Sequence, residues 1–512
     1  MISPLLITSA LAFGAVIFCL LPSGVTTMGD DFAFYRSIAE TIQHHRPWTD
    51  DYLEPWAATL SVLSAGIFLI THSFIAATHG LVVVLATLSF GGCSALLMRR
   101  GLSRIAAVAI ATAILSSPLL LQYTVEFTSW IVYVPCLLWA LSAAEKKSWG
   151  CFTIAWIAAL ATRQTAVVWG VLPAAEAWMA WRKRIEPPAS ATWRAPLVAV
   201  LVGVVASAVL FFGMNRTAAY LHLTEAQLGE AGKQIFHWRH DAGLVSRFAT
   251  GLCVFALATG FGTWLLNPEP PPRPWPRFSR FAIGVVLVTA LPGLSRFINF
   301  TDFGYKGPWV SAYYLLLAVL GAVGWTIRPK FTVVWPIALT AVAGMALMSL
   351  HTPLNAAYLL EPALLGLFAG APANRPEISV TSSRSGTLLR GFRLAALGGL
   401  LFWHLVWAFD LKSTADRHFA RIRVTELALR KGQIALGDTP PGVESLIYWH
   451  ALPYLAAHPR SHLIIRTLLP RLRTPNLAVK FIQSFPAPLR WWPGFADTPA
   501  PTNSDVLQHE AF

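Results

Sequence analysis

The stretch APLVAVLVGVVASAVLFFGM, residues 195–214, decides the fold class. It carries no charged side chain. Its length is what an α-helix needs to cross ~30 Å of hydrocarbon, about 20 predominantly apolar residues. Working outward in both directions, apolar segments of similar kind recur near 5–22, 56–97, 102–121, 128–144, 149–161, 164–181, 245–266, 280–295, 308–327, 331–350, 354–372 and 393–410. The segment 56–97 is too long for one perpendicular crossing, and His72 and His79 interrupt it. Counting it as one crossing plus an interfacial or re-entrant piece predicts an all-α, polytopic membrane protein of about 13 transmembrane helices.

Composition agrees. Of the 512 residues, 55% are hydrophobic and 12% are charged, roughly half the charged share of a soluble chain. The net charge of +14 does not point to nucleic acid, because the basic residues form short clusters between apolar runs: Arg99-Arg100, Lys146-Lys147, Arg182-Lys183-Arg184, and Arg328 with Lys330. Such clustering is the positive-inside pattern. With these loops in the cytoplasm, residues 23–55, 215–245 and 296–308 become outer loops. The tail from Leu411 then starts on the same outer side. Met1–Pro22 lacks a basic leader region and a small-x-small cleavage site, and reads as a retained first helix. Five cysteines lie in or beside apolar segments, with neither a disulfide framework nor zinc-ligand spacing.

The chain therefore divides into a transmembrane domain, 1–410, and a C-terminal extramembrane region, 411–512. The tail holds 12 basic and 7 acidic residues. The proline-rich connector 267–280 is basic and extended. Tryptophans such as Trp48, Trp56 and Trp309 fit an interfacial aromatic belt. The cluster His237-Trp238-Arg239-His240-Asp241 matches no defined metal motif and stays unassigned.

The first outer loop is the most informative polar stretch, with six acidic and two basic residues between Pro22 and Trp56. Its core is Gly29-Asp30-Asp31-Phe32-Ala33-Phe34-Tyr35. Asp30 or Asp31 suits a helix N-cap, after which Tyr35, Ile38 and Ile42 share one face of a short surface helix. The acidic pair is thus tethered close to the bilayer boundary. A carboxylate there can take a proton from an acceptor hydroxyl. The plainer reading is a capping aspartate beside a solvated one.

A first helix, an Asp-Asp pair in the outer loop and interfacial helices beyond it resemble the GT-C superfamily of glycosyltransferases. That group includes protein O-mannosyltransferases, lipid A aminoarabinose transferases and lipopolysaccharide-core sugar transferases. The likeness covers the layout of residues 1–410, while the motif itself is short. It implies a GT-C-like bundle in the bacterial inner membrane with its active site facing the periplasm. It also implies a polyprenyl-phosphate sugar donor, a glycan, lipid or protein acceptor, and Asp30 or Asp31 as catalytic base. A divalent cation, Mg or Mn, is left open by the same likeness, since members of the superfamily differ.

Further residues are candidates for substrate binding. Glu126 sits at the outer end of a helix pair, where an acid near the membrane is costly. Arg163-Gln164-Thr165 is similar to an Arg-Gln-Thr element in the glucosyltransferase that caps lipid-linked oligosaccharides, although the chain around it departs from that enzyme. Arg163 suits a donor phosphate; the alternative is a snorkelling arginine. Arg296, Lys306, His351 and Tyr358 lie at outer helix ends, where cations would stabilise a leaving phosphate, although each alone also reads as an anchor. The rival functions are a flippase or transporter of lipid-linked glycans, and an O-antigen ligase or polymerase. A transporter would carry ionisable residues in mid-helix, whereas here the charges read as gathered at helix ends.

Overall fold

The computed structural model describes residues 4–21, 58–72, 74–125, 128–183, 193–220, 243–266, 308–327, 335–349, 359–370, 391, 393–409 and 411–412. Among them every regular element is helical. In chain order these are α1 Pro4–Leu20, α2 Ala58–Thr71, α3 Phe74–Arg99, α4 Arg104–Leu115, α5 Pro118–Val125, α6 Trp130–Glu145 and α7 Trp149–Leu160. A 3-10 turn over Gln164–Gly170 then leads to α8 Val171–Lys183, α9 Arg194–Tyr220, α10 Gly243–Leu266, α11 Pro308–Ile327, α12 Trp335–Ser349 and α13 Leu360–Ala369. Arg393–Phe409 forms α14.

The parts of α3 and α10 over Ala76–Arg99 and Val245–Leu266 are each long and apolar enough to cross a membrane. The pair α4 and α5, bent by 68°, adds a third span if taken together. The other apolar stretches among the described residues run 10–17 residues, Arg194–Leu210 of α9 and Leu316–Trp325 of α11 among them, and the expected segment 280–295 lies outside the described residues. A lipid surround explains the outer faces. On α9, Val198, Leu201, Val205 and Val209 are 56%, 57%, 61% and 65% exposed along one helical stripe, an apolar band that water would not tolerate.

Local chemistry sets the breaks. The long apolar stretch divides at His72, whose φ of 50° ends α2. His79 does not interrupt anything: it lies inside α3, 6% exposed. The 14 residues of α2 reach about 21 Å at 1.5 Å per residue, short of a crossing. The 26 residues of α3, about 39 Å long, make it instead. The expected single helix 102–121 is broken by Ser116-Ser117-Pro118, because Pro118 has no N–H to give and suits the first position of a new helix. Ser103 caps α4, accepting from the Ala106 amide at 3.3 Å.

Helix packing uses small residues. A Cβ on Gly324 would overlap the Gly260 carbonyl, and one on Gly260 would overlap the Gly321 carbonyl. Backbones of α10 and α11 therefore touch. On its other side α10 meets α13, with Gly262 against the Leu367 carbonyl and Gly370 against the Thr259 carbonyl. Lipid gives no hydrophobic drive between apolar helices, so close backbone approach and dispersion hold this seam.

The bundle has two distinct ends. At one, Arg99 bonds the Ser142 carbonyl, and Arg100 pairs with Glu145 and donates to the Phe368 carbonyl. Lys146 and Lys147 follow directly. At the other, Lys412 Nζ donates to the Leu21 carbonyl at 2.8 Å, Thr59 to the Ala161 carbonyl at 2.6 Å, and Arg247 to the Ser349 carbonyl at 2.8 Å. Helix α6 joins the two ends, with Ser129 at the second and Glu145 at the first. The basic pairs that the charge pattern assigns to one side, 99–100 and 146–147, do share an end. Leu21 and Lys412, assigned to the other side, share the opposite one.

Candidate functional site

Of the residues singled out from sequence, Asp30, Asp31, Tyr35, Glu126, Arg296, Lys306, His351 and Tyr358 lie outside the described residues. For Gln164 the backbone alone is described, as the first residue of the 3-10 turn. Arg163 is described in full, and it heads a constellation that sequence reasoning did not assemble.

Arg163 is extended, at φ −148° and ψ 127°, and serves as N-cap of the turn. A 3-10 turn repeats every three residues, so Arg163, Ala166 and Trp169 line one edge. Ala166 and Trp169 are buried. The turn is pinned from α7, where Trp156 Nε1 donates to the Ala166 carbonyl at 2.7 Å. Facing it, α6 presents Ser129, Trp130 and Tyr133. Arg163 Nη1 donates to Ser129 Oγ at 2.8 Å, and the guanidinium lies 4.4 Å from the Trp130 ring centroid. A stacked, hydrogen-bonded guanidinium is fixed in direction, unlike a snorkelling one.

Aromatic contacts carry the arrangement inward. Trp130 meets Tyr133 edge-on at 5.1 Å, and Tyr133 meets Trp169 at 4.9 Å. Trp169 Nε1 then donates to Glu361 Oε1 at 2.8 Å. The Tyr133 phenol lies beside both Glu361 and Thr165. Glu361 is 1% exposed, and its Oε2 has no hydrogen-bond partner among the described residues.

Glu361 agrees with the expectation that charges keep to helix ends, but it is buried rather than interfacial. Glu361 falls in the middle of the apolar segment 354–372; the helix there is shorter, Leu360–Ala369, and its first turn drives the carboxyl into the bundle. The signal was present in the sequence: an acid inside an apolar segment marks a functional or partnered residue. Tyr133 and Trp169 offered no such signal, since aromatic residues at helical spacing usually mean core.

Beside Glu361, Leu359 and Leu360 help line a cavity of about 230 Å³. It lies at the α4–α5 break and is walled by α10, α11, α13 and α14, with Ile114, Pro118, Phe261 and Leu364 typical of its lining. Polar groups on the wall are few. His404 Nε2 meets the Tyr313 hydroxyl at 2.7 Å and its Nδ1 meets Ser116 Oγ at 3.0 Å, so both ring nitrogens are engaged. The apolar recess and the group around Arg163 are linked through the start of α13, where Leu360 lines the recess and Glu361 accepts from Trp169. Among the described residues no group of three His, Cys, Asp or Glu side chains is placed to hold a metal ion. No protein-family model, no curated protein and no solved structure matches this chain.

Proposed function

We propose that the protein is a GT-C-like membrane glycosyltransferase that moves a sugar from a polyprenyl-phosphate donor to a hydroxyl of a glycan, lipid or protein acceptor. The active site faces the outer side of a bacterial-type inner membrane. The observation that carries this reading is the junction at the start of α13: Leu360 lines the apolar cavity, and the next residue, Glu361, belongs to the constellation headed by Arg163. An amphipathic ligand with a hydrocarbon chain and an anionic head suits such a junction.

In the reaction, the donor chain occupies the apolar recess and its phosphate meets Arg163. An acceptor hydroxyl loses its proton to Asp31 or Asp30, and its oxygen forms a bond to the anomeric carbon. The bond from that carbon to the phosphate oxygen breaks on the opposite face, and the lipid phosphate leaves with the electron pair. The configuration inverts. Arg163 offsets the negative charge growing on the leaving group.

A second reading, a transporter of lipid-linked glycans, is favoured by one observation: a buried carboxylate within an apolar bundle is typical of transport pathways. The two readings part on covalent chemistry. Asp30→Asn and Asp31→Asn, tested singly in cells with normal protein levels, are expected to abolish a surface glycan modification in at least one case. Modification intact in both variants overturns the catalytic assignment.

A further inference from the structure

Two arginines where α8 ends and α9 begins differ from the other arginines placed in the bundle. The run Arg182-Lys183-Arg184 spans the end of α8, and α9 starts at Arg194. Both Arg182 and Arg194 are exposed. The Arg182 guanidinium lies 5.6 Å from the Trp178 ring centroid, and that of Arg194 lies 5.9 Å from the Trp193 ring centroid. Among the described residues neither has a hydrogen bond or an ion pair. Arg99, Arg100, Arg163 and Arg247, by contrast, all donate to protein oxygens. A guanidinium backed by an indole keeps its fork of N–H donors available, and that fork matches a phosphate.

The surroundings are those of a lipid boundary. Trp178 and Trp181 are 56% and 58% exposed within one turn of Arg182. On α9 the exposed stripe Val198, Leu201 and Val205 continues from Arg194 at helical spacing. Helix α8 runs away from the Arg163 turn for 13 residues, about 20 Å, and α9 returns packed against it, so both Arg–Trp pairs close the same end. Lys146 and Lys147 are exposed ahead of α7, which also packs on α9. From residue 176 to residue 194, four basic residues stand against two acids.

We infer that the α8–α9 end is a binding site for an anionic phospholipid of the surrounding leaflet. Arg182 and Arg194 engage its phosphate, the indoles of Trp178 and Trp181 sit at the headgroup boundary, and an acyl chain follows the exposed stripe of α9. A zwitterionic phospholipid offers the same phosphate, but it also brings an ammonium group that the basic patch repels. Net negative charge on the headgroup is therefore what the patch selects. This site is independent of the sugar transfer and of the lipid phosphate proposed at Arg163.

The test is native mass spectrometry of the full chain in a neutral detergent, titrated with phosphatidylglycerol or with phosphatidylcholine of identical acyl chains. Wild type is expected to bind phosphatidylglycerol more tightly, and raised salt should shrink that preference. Arg182→Gln and Arg194→Gln should each lower the preference about fivefold, since one cation near an anionic headgroup contributes about 1 kcal/mol. The double variant should bind the two lipids alike. Trp178→Leu keeps the apolar contact but removes the platform under Arg182, and should lower the preference about twofold. Where a glutamine variant does not fold, Arg182→Met or Arg194→Met replaces it. Equal affinity of wild type for the two lipids overturns the inference. A preference that survives the double change overturns it as well, and would move the anionic site to other basic residues such as Lys146 and Lys147.

Discussion

Replacing Trp156 links the packing of the bundle to the site. Its ring is 1% exposed and fills space that Gly170 and Gly203 leave for it; a Cβ on Gly203 would overlap the indole. Its N–H reaches the Ala166 carbonyl at 2.7 Å, and the Ala166 amide in turn donates to the Arg163 carbonyl at 3.1 Å. Trp156→Phe keeps most of the packing but removes the N–H. A buried carbonyl left without its donor costs about 1–3 kcal/mol, although hydrogen bonds inside membrane bundles average nearer 0.6 kcal/mol. A loss of about 1–2 kcal/mol is therefore expected. Trp156→Ala also opens a cavity between α7 and α9 and should cost about 3–5 kcal/mol. Reversible unfolding in mixed micelles gives these differences, and polyprenyl-phosphate binding gives their effect on Arg163. Phosphate binding should weaken in Trp156→Phe, with binding of the uncharged polyprenol unchanged. If Trp156→Phe matches wild type in stability and in phosphate binding, the indole does not hold the turn and the reasoning fails.

Two other perturbations follow from the packing. Gly324→Ala forces α11 off the Gly260 carbonyl and should destabilise by about 1–3 kcal/mol, whereas Gly399→Ala, with open space around it, should be neutral or better in the same unfolding assay. Glu145→Leu strands Arg100, which is 3% exposed, and should cost about 3–5 kcal/mol, while the double change Arg100→Met with Glu145→Leu should restore most of it; a double variant as weak as the single one would mean the pair is not the source of the loss.

Much of the helical layout was legible in the sequence because apolar length is a strong signal. The segment 308–327 coincides with α11, Pro308–Ile327, and the basic pairs at 99–100 and 146–147 share one end of the bundle. What was less legible depended on single residues that a hydropathy average absorbs. Pro118 divides 102–121 into two helices inclined at 68°, yet its neighbours are apolar enough to hide the break. The expected helix 164–181 begins as a 3-10 turn, and that change of pitch is what sets Arg163, Ala166 and Trp169 in a row. Glu361 was visible as an acid in an apolar segment, but its partners come from α6 and the turn, nearly two hundred residues away in sequence for Trp169. No local pattern records such a convergence. Arg163 was singled out from sequence, and what fixes it, Ser129 and the face of Trp130, required the fold.

The claim on which everything else depends is that the bundle crosses a membrane with the Arg99–Lys147 end on one side and the Arg163–Lys412 end on the other. The most direct measurement places single cysteines at Tyr35 and at Lys147 in a cysteine-free chain and treats intact cells with a membrane-impermeant maleimide. The account predicts rapid labelling at position 35, with position 147 protected until the membrane is opened. Equal labelling of both positions in intact cells would contradict it.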